Sequence, residues 1–427
     1  MFHPRHMSTL TPMLRLRSLL TLLVGALLSS RGLSAPARNG AASVKGSSAG
    51  VVQLPIVHYN SDDTGIIPLV DVGIGIPPQN VRMVLDTGSS DLIAAESGST
   101  VCKSPEQQCT RSRTGLVLGS FDPKQSKGAE RVSGQTLDTS FGTGEAYKGP
   151  MMKETLTLGG SQVPAAQIGL MQTGYIPPNT PSFSVFGVGP VGNEGSASLY
   201  VNVPARMKEA GIISRNAFGI YLNDFRGTDG SITFGGVDTA KFEGELQELP
   251  LVRDSNGKFG EFLVSFSSLS VSGQAGAADA PARAANFVSR PIPALLDTGN
   301  PALDLSPDVV TRMARALRVG TRKDGDVTLL EPLPCSLGDS MSLVIGFNKD
   351  AVKMSVPLSL LMVPAEGRNG AAGQCTTPQI IGSTGVEFTS LGAPFLQAVY
   401  AVYDMDRKTV SLAQAKMNVT ESNIVPF

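Results

Sequence analysis

The chain has 427 residues, more than one hydrophobic core usually serves, so two lobes are expected. Its 35 basic and 36 acidic residues leave a net charge of -1, which gives no electrostatic pull toward nucleic acid. With 47 glycines, 29 prolines and 17% charged residues, it has the composition of many short strands and tight turns, a mainly β fold, more than of a helical one.

In chain order, Arg15 and Arg17 precede an apolar stretch from Leu19 to Leu28, and small residues from Gly32 to Ala35 follow. This is the layout of a secretory signal over residues 1–35, and its apolar stretch is too short to span a bilayer. Residues 36–50 form a short leader or pro-segment with Arg38 and Lys45 as its basic groups. From Val51 to His58 the apolar residues alternate as in a first strand. Asp63, Thr64 and Gly65 follow a polar run and read as a turn.

The next segment differs in kind. Val84 and Leu85 bring Asp86 to the end of a buried strand, and Thr87, Gly88 and Ser89 then turn the chain. Leu295, Leu296, Asp297, Thr298, Gly299 and Asn300 repeat the pattern in the second half. Two lobes related by a pseudo-twofold axis would bring Asp86 and Asp297 together, where like charges a few ångströms apart cannot both ionise. Such a pair holds one proton, and it can act as general base and general acid on a water and a peptide carbonyl.

Between and beyond these loops, Cys102, Cys109, Cys335 and Cys375 allow three disulfide pairings, of which chain position favours Cys102 with Cys109 and Cys335 with Cys375. Their spacings contain no metal-binding motif, and neither a metal nor a cofactor is expected. Gly187, Gly189 and Gly192 have dinucleotide-loop spacing, but Pro190 interrupts it. Helices are expected at Tyr200–Ala210 and Pro307–Leu317, and Ser272–Ala285 reads as a flexible Gly/Ala-rich insertion. Asn418 to Thr420 is a glycosylation acceptor triplet. With His3 and His6 in the signal, only His58 remains, a surface histidine of the leader or first strand. Hydrolases built on an imidazole or on zinc are therefore excluded.

Together these motifs resemble those of the pepsin-like aspartic proteases, secreted fungal-type enzymes included, from about Ile67 to Ala413. Gly73–Gln79 resembles the family's first hairpin, and Phe141, Gly142, Thr143 and Gly144 its substrate-binding flap. Val185–Gly187 and Ser390–Gly392 resemble the segments behind each catalytic loop, and Phe234–Asp238 the crossover between lobes. The resemblance implies a bilobal fold of two β-barrel-like lobes with a cleft between them, placed here at 51–240 and 241–427. It implies that Asp86 and Asp297 are catalytic, that Thr87 and Thr298 lock the loops together, and that Ser89 donates to Asp86. Asn300 stands where the family usually has a hydroxyl residue and is expected to donate to Asp297. Phe141 and Ile93 replace the family's flap tyrosine and its tryptophan partner, a matched loss.

The implied function is endopeptidase cleavage of polypeptides beside bulky apolar residues, with pockets expected from Val84, Leu295, Phe141 and Phe183. Phe186 is expected in the core instead. A secreted monomer without a membrane anchor, exported from the cell or into an acidic vacuole and made as a zymogen, completes the expectation. A catalytically silent binding or inhibitor module of the same fold is the alternative, and a carboxylate-pair glycosidase ranks below it for want of tryptophan.

Overall fold

Apolar residues dominate the inner end of the strand Gln79–Asp86, where its last four residues are all buried, as suits a strand covered on both faces. It pairs antiparallel with Gly65–Ile74 and parallel with Ser184–Gly187, which sets Asp86 opposite Gly187. The structure, a computed structural model, describes residues 50–427 apart from 62–64, 105, 108, 110–116, 179–180, 197, 228, 274–285, 366–372 and 385–388. The expected signal, nearly all of the leader, the turn at Asp63 and Thr64 and most of the Gly/Ala-rich insertion lie outside the described residues.

After Asp86 the chain returns as Leu92–Ala95, antiparallel to Ser184–Gly187 and parallel to Ser161–Met171. The second half repeats this arrangement strand for strand. Ile292–Asp297 pairs antiparallel with Leu263–Gly273 and parallel with Thr389–Gly392, setting Asp297 opposite Gly392. Leu303–Leu305 then runs antiparallel to Thr389–Gly392 and parallel to Ile380–Gly382. The repeated five-strand order is the expected pseudo-twofold relation, in a mainly β, bilobal molecule. Glycine is required behind each loop: a Cβ on Gly187 would stand 2.7 Å from the Asp91 nitrogen, and one on Gly392 2.2 Å from the Asn300 carbonyl oxygen.

Each half adds its own covering elements. In the first, Glu130–Ser140 and Ala146–Leu158 form the hairpin that carries the expected flap, closed by the Ser140 to Ala146 pair. In the second, Met341–Phe347 and Val352–Pro357 extend the sheet beyond Leu263–Gly273. A shared sheet crosses the expected boundary at 240. Phe242–Pro250, Thr409–Ala415 and Val399–Asp404 continue through Ala217–Tyr221 and Gly230–Phe234 to the first strand, Val52–Ser61. Phe218 faces Tyr403 in that register, their rings stacked 5.3 Å apart, and Phe262 meets Tyr403 at 4.6 Å. All three rings are fully buried, each contributing about 2 kcal/mol of hydrophobic stabilisation.

The two expected helices form. Pro307–Leu317 matches its expected span; Ser306 caps its start, Pro307 fits the first turn, and Arg318 in the left-handed region (φ 57°) ends it. The other begins later than expected, at Val203, because Asn202 caps it by accepting from the Ala205 N–H. His58 lies in the first strand, half-buried and packed edge-on against Phe225 with ring centroids 4.8 Å apart, and so departs from the expected surface position.

Candidate active site

The two Asp-Thr-Gly turns meet back to back between the repeated halves. The Thr87 N–H donates to Thr298 Oγ1 at 3.1 Å, and the Thr298 N–H donates to Thr87 Oγ1 at 2.9 Å. Each hydroxyl passes its own proton across the interface, Thr87 to the Leu296 carbonyl (2.8 Å) and Thr298 to the Leu85 carbonyl (2.7 Å). Both threonines are buried, so these four bonds fix the separation of the loops in a dry interior. The glycines make the approach possible: a Cβ on Gly88 would lie 2.5 Å from Asp297 Oδ2, and one on Gly299 2.5 Å from Asp86 Oδ1.

The carboxyls differ in their donors. Asp86 Oδ1 accepts from the Gly88 N–H at 2.8 Å, and Oδ2 accepts from the Ser89 hydroxyl. Asp297 Oδ1 accepts from the Gly299 N–H at 2.8 Å. Burial, then the Asp86 charge, then a hydrogen bond with the Asp86 carboxyl push Asp297 well above the usual carboxylate range; the Gly299 and Gly88 N–H groups offset only part of this. Asn300 departs from its expected place beside Asp297. Its Nδ2 donates to Ser390 Oγ at 2.7 Å, and its Oδ1 accepts from the Ala302 N–H at 2.9 Å, closing its own turn. Only Asp86 therefore receives a hydroxyl from its own loop.

Phe141, Gly142, Thr143 and Gly144 form the turn of the flap hairpin. The Phe141 N–H donates to the Glu145 carbonyl, and the Gly144 N–H donates to the Phe141 carbonyl, both at 2.9 Å. Gly142 and Thr143 are exposed, while the half-buried Phe141 packs against the cluster that contains Ile93, Leu137, Tyr147 and Val185. The expected pocket residues separate. Val84 and Phe183 belong to a different cluster with Tyr59 and Leu118, Leu295 lies in the main core, and Phe186 is fully buried there as expected. These assignments place only Phe141 at the flap.

Several residues around the site escaped the sequence reading, because the bonds that tie their segment to Gly88 and Asp91 span about a hundred positions. Asn193 Nδ2 donates to the Gly88 carbonyl at 2.9 Å, and Asn202 Nδ2 to the Gly189 carbonyl at 2.9 Å. Asp91 accepts from the Tyr200 hydroxyl (2.6 Å) and the Gly195 N–H (2.7 Å). Glu194 accepts from the Tyr200 N–H at 2.6 Å. The Gly187–Gly192 spacing opens no helix; Val191–Asn193 is a single 3-10 turn. Away from the site, the cysteines pair as Cys102–Cys109 and Cys335–Cys375, one bridge in each half. Asn418 is exposed, with φ 57° and its side chain against Gly227.

Comparison with known proteins points the same way. The family model described as eukaryotic aspartyl protease matches residues 69–415. The probable aspartic-type endopeptidase opsB of Aspergillus oryzae is 32% identical over 377 residues, covering 86% of this chain and 72% of that protein. Candidapepsin-3 of Candida albicans is 30% identical over 359 residues, with 83% and 80% covered. The crystal structure of an aspartic proteinase from Irpex lacteus superimposes with a TM-score of 0.65 at 18% identity. It covers 87% of this chain and 100% of that one, a likeness of fold.

Proposed function

Because the chain belongs to the eukaryotic aspartyl protease family and is an aspartic-type endopeptidase, we propose that Asp86 and Asp297 are its catalytic pair and share one proton. The observation that carries this reading is the crossed threonine bonding, which holds the two loops so close that each glycine packs against the opposite carboxyl. Asp86, with a backbone and a hydroxyl donor, is the anion and general base; Asp297, with its raised pKa, holds the proton as general acid. The pair nonetheless titrates as one unit.

In the forward step Asp86 takes a proton from water, the water oxygen attacks the peptide carbonyl carbon, and Asp297 protonates the carbonyl oxygen. The tetrahedral diol then collapses as Asp86 returns its proton to the leaving nitrogen, the C–N bond breaks, and Asp297 recovers a proton from the diol. No covalent enzyme intermediate forms. The exposed amides of Gly142 and Thr143 can bond an extended peptide as an added strand, and Phe141 favours a bulky apolar residue beside the scissile bond.

The N-terminal address, the two disulfides and secreted relatives such as secreted aspartic protease 3 of Candida albicans support export. A monomer, made as a zymogen and glycosylated at Asn418, completes the proposed reading. The test is cleavage of an unfolded protein at acidic pH with and without a statine-type inhibitor, beside Asp86→Asn. Inhibitor-sensitive cleavage that falls by about a thousandfold or more in the variant is expected. Cleavage indifferent to both inhibitor and substitution would sink the assignment.

A further inference from the structure

Phe141, at the turn of the flap, carries no hydroxyl, so any polar tie holding the flap by a side chain must start elsewhere. Tyr147 lies just beyond the turn, on the strand Ala146–Leu158. Its ring is buried and meets Phe141 edge to face, with centroids 6.1 Å apart. Its hydroxyl bonds Ser182 Oγ, and Ser182 Oγ donates to Gln107 Oε1 at 2.6 Å. A serine has one hydroxyl proton, so Ser182 must accept from Tyr147, and donation runs from Tyr147 through Ser182 to Gln107.

Both ends of this chain are held. Ser182 and Gln107 are buried, and the Ser182 N–H also donates to the Glu106 carbonyl at 3.0 Å. Gln107 lies inside the loop closed by Cys102–Cys109. Two residues past Ser182 begins Ser184–Gly187, the strand that ends beside Asp86. The turn end of the flap, the disulfide loop and the strand behind the first Asp-Thr-Gly turn thus converge on one buried hydrogen-bonded run, an arrangement that fixes geometry when every member is satisfied. The Tyr147 hydroxyl stays protonated, since burial pushes it above its ordinary range.

We propose that Tyr147 is the positioning residue of the flap, anchored through Ser182 and Gln107 to the Cys102–Cys109 loop. This rests on the reading of Phe141–Gly144 as the lid of a peptide-cleaving cleft. The disulfide then serves the cleft as well as the fold, and opening it loosens the lid.

The test pairs hydrogen exchange with kinetics. In Tyr147→Phe, which keeps the ring, the hydrogen-bonded turn amides of Phe141 and Gly144 exchange about tenfold faster, while those of the two Asp-Thr-Gly turns do not change. KM for a peptide with bulky apolar residues at the cleavage point rises about tenfold, and kcat moves by less than about twofold. Ser182→Ala behaves alike, the double variant is no worse than either single one, and Ser182→Thr retains wild-type KM. Unchanged exchange in Tyr147→Phe, or additive effects of the two substitutions, overturns the anchor. A wild-type protein without cleavage refutes the protease reading alone, because exchange still decides the anchor.

Discussion

Gly88 and Gly299 govern how near the two carboxyls come, and no other residue type fits either place. A methyl group on Gly299 would stand 2.5 Å from Asp86 Oδ1, well inside van der Waals contact. Gly299→Ala is therefore expected to lower kcat by about a hundredfold or more, since small displacements of acid and base cost that much. Steady-state kinetics beside a thermal melt checks it, and a variant with wild-type kcat contradicts the close packing. At this scale the sequence was most legible: the repeated Asp-Thr-Gly placed both turns, and Ser89 donates as expected. Asn300 was misread because an asparagine in a turn is captured by nearby backbone, here the Ala302 N–H, which aims its amide at Ser390. A partner ninety residues away leaves no local trace.

At the scale of elements, the segment from Pro190 to Asn202 braces the first Asp-Thr-Gly turn and the strands beside it, through Asn193 to Gly88, Asn202 to Gly189 and the Asp91–Tyr200 bond. It carries a half-buried acid, Glu194, with consequences for stability. Burial pushes Glu194 up to about 8, the Tyr200 N–H offsets part of this, and the Asp91 charge raises it again. Unfolded, the same carboxyl ionises near 4.5. Between those values the folded protein holds a proton that the unfolded chain has lost, so stability falls as pH rises from about 4.5 to about 8 and levels off above. Thermal melts at pH 5 and pH 8 should show this loss, and Glu194→Gln should shrink it; an equal loss in both proteins contradicts the role of Glu194. Capping residues made the helices legible, Ser306 with Pro307 most clearly. The bracing role of Pro190–Asn202 was hidden, because its glycines and asparagines look like any loop until the opposite turn is present.

For the whole molecule, two lobes were legible from length and from the repeat, whereas the sheet joining them was not. Strand pairings such as Phe218 with Tyr403 span nearly half the chain, and alternation along one strand says nothing of its distant neighbour. That shared sheet carries the crossover at 240 and sets the two halves as one frame around the turns. Within this frame Asp91, Glu145, Asp297 and Asp304 are all raised from their ordinary values, each chiefly through burial, so rising pH opposes the folded protein at several points. His58, lowered by burial, works in the other direction at the acid end. In the proposed mechanism the frame forces Asp86 and Asp297 to share a single hydrogen. Neutron diffraction from deuterated crystals at mildly acidic pH measures it directly. One deuteron between the two carboxyls is the predicted result; two fully ionised carboxylates, or acids too far apart to bond the same deuteron, would contradict it.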